Sequence, residues 1–196
     1  MSKPDKREEI VKASLELIAE QGFHGAPMAM IANRAGVGAG TIYRYFENKD
    51  VLITELYREL EERSFPVIQQ GYSQDKPFRE RYLHLCNALL RYFIENPTDF
   101  RFLEQFFNSP YGVACRRDKL AGARGGCDVF RELFEECITR NVMKELPLVV
   151  LFDLTFGPLL ALARDHILGF IVLDEPLVSA AVSACWDGVR RQGQTG

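Results

Sequence analysis

Apolar residues recur at helical spacing from one end of the chain to the other. Ile10, Ser14, Leu17 and Ile18 share one face of a first helix running from about Pro4 to Gln21, with Val11 and Leu15 beside them. Lys6, Arg7, Glu8, Lys12 and Glu16 fall on the opposite, polar side. Gly22 stands where it ends that helix, and Phe23 follows as an apolar anchor. Pro27 suits the start of a second helix, in which Met28, Ile31, Ala32 and Ala35 repeat at i, i+3, i+4 and i+7. Gly36 supplies the positive φ that ends a helix cheaply, and Val37 is a single apolar peg in the turn. Ile42 and Phe46, four apart, predict a short third helix packed back on the second. Asn48 then caps a helix carrying Leu52, Leu56 and Leu60 on one side, as far as Phe65-Pro66 or beyond it with a kink.

Gly71 to Pro77 is polar and marks a boundary. Beyond it the spacing predicts a helix through Phe78, Tyr82, Leu85, Leu89 and Phe93, and another from Pro97 through Phe102, Phe106 and Phe107. Ser109-Pro110-Tyr111-Gly112 reads as a turn, and the stretch holding Gly122, Gly125 and Gly126 as a loop or a frayed helix. Helical period returns through Phe130, Leu133, Phe134, Cys137 and Ile138, then from Pro147 to about Ile167, and from Glu175-Pro176 to about Arg190. Residues 192–196 read as a disordered tail. No stretch alternates as a strand does, so the fold class is all-α. The domain division is a first unit over 1–50, a connecting helix over 48–70, and a second domain over 71–196.

Composition narrows this picture little. With 47% hydrophobic residues in 196, a sizeable core is assured. The net charge of −3 does not itself point to nucleic acid, but Arg34, Arg44 and Lys49 against Glu47 leave the stretch from 33 to 49 locally basic. Five cysteines (Cys86, Cys115, Cys127, Cys137 and Cys185) show no CxxC spacing, which argues against a disulfide framework or a zinc site and fits a reducing cytoplasm. The apolar run from Leu146 to Ala163 contains Asp153 and a Gly157-Pro158 break, so a core or interface helix is expected rather than a membrane span. Three scattered histidines, with no HExxH, no glycine-rich phosphate loop and no nucleophile elbow, argue against an enzyme. No cofactor is expected.

The stretch from Ile31 to Phe46 carries the chemistry. If Ile42 and Phe46 face inward, then Gly38, Ala39, Gly40, Tyr43 and Arg44 face outward: small residues, an aromatic hydroxyl and a cation. Such a helix can lie close to a duplex and put one side chain into the major groove. Its bare N-terminal edge suits a phosphate. The hydroxyls of Thr41, Tyr43 and Tyr45 can donate to phosphate oxygens, and Arg44 can read a guanine edge or clamp a phosphate. Lys49 lies in the first turn of the next helix, where its charge opposes the local dipole; an anion opposite would account for it. On the residues alone, a buried helical corner remains open as the other reading.

The residues from Ile10 through Phe23, with Ile31-Ala32-x-x-Ala35-Gly36-Val37, Gly40-Thr41-Ile42-Tyr43-x-Tyr45-Phe46 and Lys49-x-x-Leu52, resemble the DNA-binding half of the TetR family of one-component bacterial transcription regulators. The resemblance covers about the first quarter of the chain. It implies an all-helical fold of about nine helices, the first three binding DNA, and a homodimer. It also implies a pseudo-palindromic operator, repression, and release when a small molecule binds. Gly38 departs from the pattern where a serine often caps the recognition helix, and Pro27 departs where a hydroxyl residue often touches phosphate. The Met28 N–H is the expected substitute for that contact.

The second half is dense in aromatics. They suggest an apolar effector site, with Phe102, Phe106, Phe107, Tyr111, Phe134 and Phe156 as lining candidates. His84, Asp153 and His166 are the candidate polar anchors. Asp153 ranks first because a carboxylate amid the most apolar helix needs a partner. A structural ion pair is the first expectation, with Arg164 and His166 further along the same helix able to reach a neighbour, and orienting a cationic or hydroxylated ligand is the second. The expected effector is a hydrophobic, aromatic small molecule. The last two helices, with small residues Ala161, Ala163, Ala180, Ala181 and Ala184 and Trp186 as a packing anchor, are the expected homodimer interface. The alternative to a small molecule is oxidation sensed at Cys115 or Cys127, which flank the glycine-rich stretch and are expected to be accessible there.

Overall fold

The computed structural model describes residues 5–121 and 128–192. Among them are ten helices and no strand. They are α1 (Lys6–Gly25), α2 (Met28–Arg34), α3 (Ala39–Tyr45), α4 (Lys49–Ile68), α5 (Phe78–Glu95), α6 (Pro97–Phe107), α7 (Pro110–Ala121), α8 (Val129–Thr139), α9 (Leu148–Ile167) and α10 (Glu175–Val189). Cys127, the glycines at 122, 125 and 126, and residues 193–196 lie outside the described residues.

An unexpected helix, α7, corrects the turn expected at Ser109–Gly112. Ser109 stands just before the helix and its hydroxyl accepts the Gly112 N–H at 3.4 Å, while Pro110 occupies the first helical position, where no N–H is needed. Glycine is required at 112 for a different reason than turning. A Cβ there would lie 2.3 Å from the Phe106 carbonyl oxygen, so only glycine lets α7 start this close to the end of α6.

The chain forms two compact units, and no single cut separates them. The first takes residues 1–64 with 96–117, and the second takes 65–95 with 118–196. α4 and α7 therefore each run from one unit into the other along the chain.

In the first unit α1 packs against α2 and α6, and α2 against α3. Ile10, Leu17, Ile18, Ile31, Ile42, Phe46 and Leu52 are fully buried, in accord with the helical spacing. Gly22 kinks α1 at φ +71 without ending it. An aromatic stack closes the other side: the Tyr57 and Phe106 rings lie parallel at 4.1 Å, Phe102 stacks on Phe106 at 6.1 Å, and Phe23 meets Phe102 edge-on at 6.3 Å. Arg7 bridges α1 to Glu59 and Glu55 of α4, and Arg63 pairs with the buried carboxylate of Asp99. Pro66 is accommodated inside α4, which continues to Ile68.

The second unit is built on α5, which packs against α8, α9 and α10. The buried Tyr82 hydroxyl hydrogen-bonds Thr155 Oγ1 at 3.0 Å, and its ring lies 5.0 Å from that of Trp186. Trp186 is thus a packing anchor inside its own unit, rather than on an outer face. Arg81, only 4% exposed, donates to the Tyr72 hydroxyl at 3.0 Å and to Glu136 at 2.8 Å. Phe130, Phe134, Phe152 and Phe156 form a ring cluster with centroid separations of 5.0–6.3 Å. Among the described residues, no helix is long and apolar enough to cross a membrane.

Candidate nucleic-acid interface

The helix pair α2–α3 owes its form to a few residues. α2 ends at Arg34, and Gly36 follows at φ +65, a conformation a Cβ disfavours. The Val37 N–H returns to the Ala32 carbonyl at 2.9 Å, which fixes the turn. Ile42 and Phe46 are 0% and 1% exposed, so the inner face of α3 is the predicted one. Gly38 caps α3 in an extended conformation with no side-chain hydrogen bond, and its carbonyl accepts the Thr41 N–H at 2.8 Å.

That packing leaves Gly38, Ala39, Gly40, Tyr43, Arg44 and Tyr45 exposed, with Thr41 half-buried. Tyr43 keeps 55% and Tyr45 42% of its surface open to solvent. A Cβ on Gly40 would meet nothing within 4 Å, so the N-terminal edge of α3 is bare. Arg44 forms no ion pair or hydrogen bond among the described residues, whereas Arg34 is held by both oxygens of Glu20 at 2.9 and 3.2 Å. An exposed guanidinium without a protein partner, on a helix edged by small residues, can present its five donors to a base edge or a phosphate. The Met28 side chain is 8% exposed, so only its backbone remains for contact.

Lys49 has a partner within the fold that its sequence position does not indicate. Its ammonium donates to the Phe23 main-chain carbonyl at the kinked end of α1. Burial lowers its pKa, and the charge of Asp50 partly offsets this. The cation in the first turn of α4 thus has a carbonyl partner within the fold. Asn48 does cap α4, accepting the Val51 N–H at 2.9 Å. Sequence reasoning missed a neighbouring support. Tyr111 donates its hydroxyl to Asp50, and its ring meets Phe23 edge-on at 5.7 Å. That hydrogen bond raises the Tyr111 pKa. No local signal pairs residues 61 positions apart.

The seven effector candidates are divided between the units. Phe102, Phe106, Phe107 and Tyr111 belong to the first, where Phe102 and Phe106 are spent on the stack with Tyr57. Phe134, Asp153 and Phe156 belong to the second. Asp153 is exposed on α9 beside exposed Leu154, which corrects the expectation of a carboxylate buried in an apolar helix. Cys115 is 1% exposed and lies against Tyr57, which corrects its expected accessibility as a redox sensor.

Two family models match the chain. One described as bacterial regulatory proteins, tetR family, covers residues 10–56. The other, described as tetracyclin repressor-like, C-terminal domain, covers 77–190. A Haemophilus influenzae protein named an uncharacterized HTH-type transcriptional regulator is 26% identical over 193 residues, 97% of this chain and 98% of its own. The structure of a TetR-family transcriptional regulator from Vibrio parahaemolyticus aligns with 96% of this chain and 100% of that one, at a TM-score of 0.74 and 33% identity. The fatty acid metabolism regulator protein of Bacillus subtilis is 44% identical over 57 residues, 29% of either chain, so that likeness does not reach most of the second unit. Regulators of this kind bind operator DNA and act as dimers. With both halves matched, and an exposed helix-turn-helix formed by α2 and α3, the chain belongs to the TetR family of bacterial regulatory proteins and is a helix-turn-helix transcriptional regulator, not an enzyme.

Proposed function

We propose that this regulator represses from a pseudo-palindromic operator as a homodimer and is released by a hydrophobic small molecule. The observation that carries the DNA part is Arg44, exposed and unpaired on a helix otherwise lined by Gly38, Ala39 and Gly40. Arg44 reads bases in the major groove. Thr41, Tyr43, Tyr45 and the backbone N–H of Met28 hold phosphates and set the register.

Two copies meet through α9 and α10. Val150, Leu154, Gly157 and Ala161 form one exposed stripe on α9, and Leu177, Ala180, Ala184 and Gly188 form another on α10. Small residues at that spacing let helices approach closely in a four-helix arrangement. The effector site belongs to the second unit. An effector that favours one separation of the two α3 helices moves them out of register with successive major grooves, about 34–36 Å apart.

Fluorescence anisotropy on the DNA flanking the protein's own gene tests this. Salt-dependent binding at least about a hundredfold tighter than to scrambled DNA is the expected result. Addition of apolar aromatic compounds is expected to reverse it. Binding with no sequence preference, or release by acids alone, overturns the reading.

A further inference from the structure

Three polar side chains were candidates to orient an effector, and the structure distinguishes them. Asp153 is exposed. His166 is engaged locally: its Nδ1 accepts the Leu173 N–H at 3.1 Å, tying the end of α9 to the loop before α10. His84 differs from both. Its Nε2 is buried and has no hydrogen-bond partner.

One turn further along α5, Asn87 has the same property. Its Nδ2 donates to the Leu83 carbonyl at 2.7 Å, which fixes the orientation of the amide. The Oδ1 is thereby identified as the acceptor, and it too is buried without a partner. Residues at i and i+3 are surface neighbours on a helix, with Cβ atoms roughly 5–6 Å apart. Next to His84 lies the Tyr72 ring, 6.1 Å between centroids, and Tyr72 is in turn held by the Arg81 guanidinium at 3.0 Å. The loop beside the pair is therefore anchored.

A buried polar atom without a partner destabilises the fold, and two on one flank of the central helix of the unit double that cost. Replacing both by apolar side chains would relieve it. Each such atom calls for an explanation, and a ligand that completes the hydrogen bonding is one that accounts for both at once.

We infer that His84 and Asn87 form the polar subsite for the effector, and that the group they recognise is a neutral hydroxyl, alcohol or phenol, on an otherwise apolar molecule. A hydroxyl can donate to Asn87 Oδ1 and at the same time accept from His84 Nε2–H, so one group satisfies both atoms. A carboxylate cannot, because it brings only acceptors to the Asn87 carbonyl oxygen. This inference rests on the effector reading above and specifies the chemistry of that site.

The test uses the full chain and three matched probes: 4-butylphenol, 4-butylanisole and butylbenzene. The anisole keeps the oxygen but lacks the proton. Calorimetry is expected to give wild-type affinity for the phenol about tenfold or more above that for the other two. In His84→Leu and Asn87→Leu the preference is expected to fall below about twofold, with butylbenzene bound at least as well as before. Without any probe, both variants are expected to melt no lower than wild type, because each removes an unsatisfied atom. Equal affinity of the wild type for all three probes, binding of none of them, or a phenol preference that survives both substitutions overturns the inference. So does a melting temperature several degrees lower in both variants, which would make the pair structural. The anisotropy screen of apolar compounds judges the effector reading separately, since release by a compound without a hydroxyl supports that reading while defeating this one.

Discussion

The ammonium of Lys49 donates to the main-chain carbonyl of Phe23, joining the start of α4 to the kinked end of α1. Arg44, five positions earlier, has no such partner among the described residues. Two cations close in sequence therefore have different work. Lys49→Met keeps the aliphatic stem and removes the hydrogen bond. It is expected to cost roughly 0.5–1.5 kcal/mol of stability, read as a lower urea midpoint, and to leave the salt dependence of DNA binding unchanged. Arg44→Ala is expected to leave the urea midpoint unchanged and to remove about 1–3 kcal/mol of discrimination between operator and random DNA. A fall of about one in the log–log salt slope for Lys49→Met would assign that lysine to a phosphate after all.

Gly36 and Gly38 frame the same turn with opposite requirements. Gly36 has φ +65, where any L side chain is strained, so Gly36→Ala is expected to cost about 1 kcal/mol. Gly38 has φ −69 and ψ 149, ordinary extended backbone, and a Cβ there would meet only the Thr41 hydroxyl, at 3.8 Å. Gly38→Ser fits and gives α3 the side-chain cap it lacks. The expected gain is a few tenths of a kcal/mol. Urea titration of both variants against wild type checks the pair; equal effects would mean the turn is not strained at 36.

Much of the first unit is legible in the chain because its periods are clean and its turn is local. Ile31 to Phe46 needs only Gly36 and four apolar spacings to be placed. What escapes is whatever depends on partners far along the chain. The Lys49 ammonium finds a carbonyl 26 residues away, and Tyr111 finds a carboxylate 61 away. Asp153 misleads for a different reason. The sequence of α9 is apolar nearly all round because it carries an exposed stripe, Val150 and Leu154, as well as a buried face, Leu151 and Leu159. Hydrophobicity alone cannot tell a helix buried on all sides from one that is buried on one side and apolar on the other. Asn87 carries no sequence signal at all, since an asparagine within a helix usually faces water.

Alkaline pH has a defined direction of effect. Burial pushes the hydroxyls of Tyr57 and Tyr82 well above their usual value, and burial likewise pushes the Cys137 thiol up to about 12. In the unfolded chain the tyrosines ionise near pH 10. Above that pH the folded state holds more protons than the unfolded one, so stability falls as pH rises. Each tyrosine is expected to contribute a slope of about 1.4 kcal/mol per pH unit above pH 10. Tyr82→Phe is expected to lower stability at neutral pH, through loss of the Thr155 hydrogen bond, and to flatten the alkaline slope by one proton. Urea midpoints from pH 8 to 11 measure both effects, and an unchanged slope in Tyr82→Phe would refute the assignment.

The outer stripe of α10 decides whether the proposed operator reading is possible. Leu177, Ala180, Ala184 and Gly188 are exposed and follow one another at helical spacing. A Cβ on Gly188 or on Gly157 of α9 would meet nothing within 4 Å. Apolar and small residues left open in this way on two successive helices suit a second copy. Ala184→Arg places a charge and a long side chain in the middle of the stripe. Burying that charge without a partner would cost several kcal/mol at an interface, of the order that separates a micromolar from a nanomolar dimer. The expected outcome is a monomer in sedimentation velocity at micromolar concentration, with operator affinity reduced towards the level for random DNA, because one α3 reaches only one half-site. Ser179 is exposed on α10 away from the stripe, so Ser179→Arg is expected to remain dimeric. A dimer that survives Ala184→Arg would place the twofold contact elsewhere on the molecule.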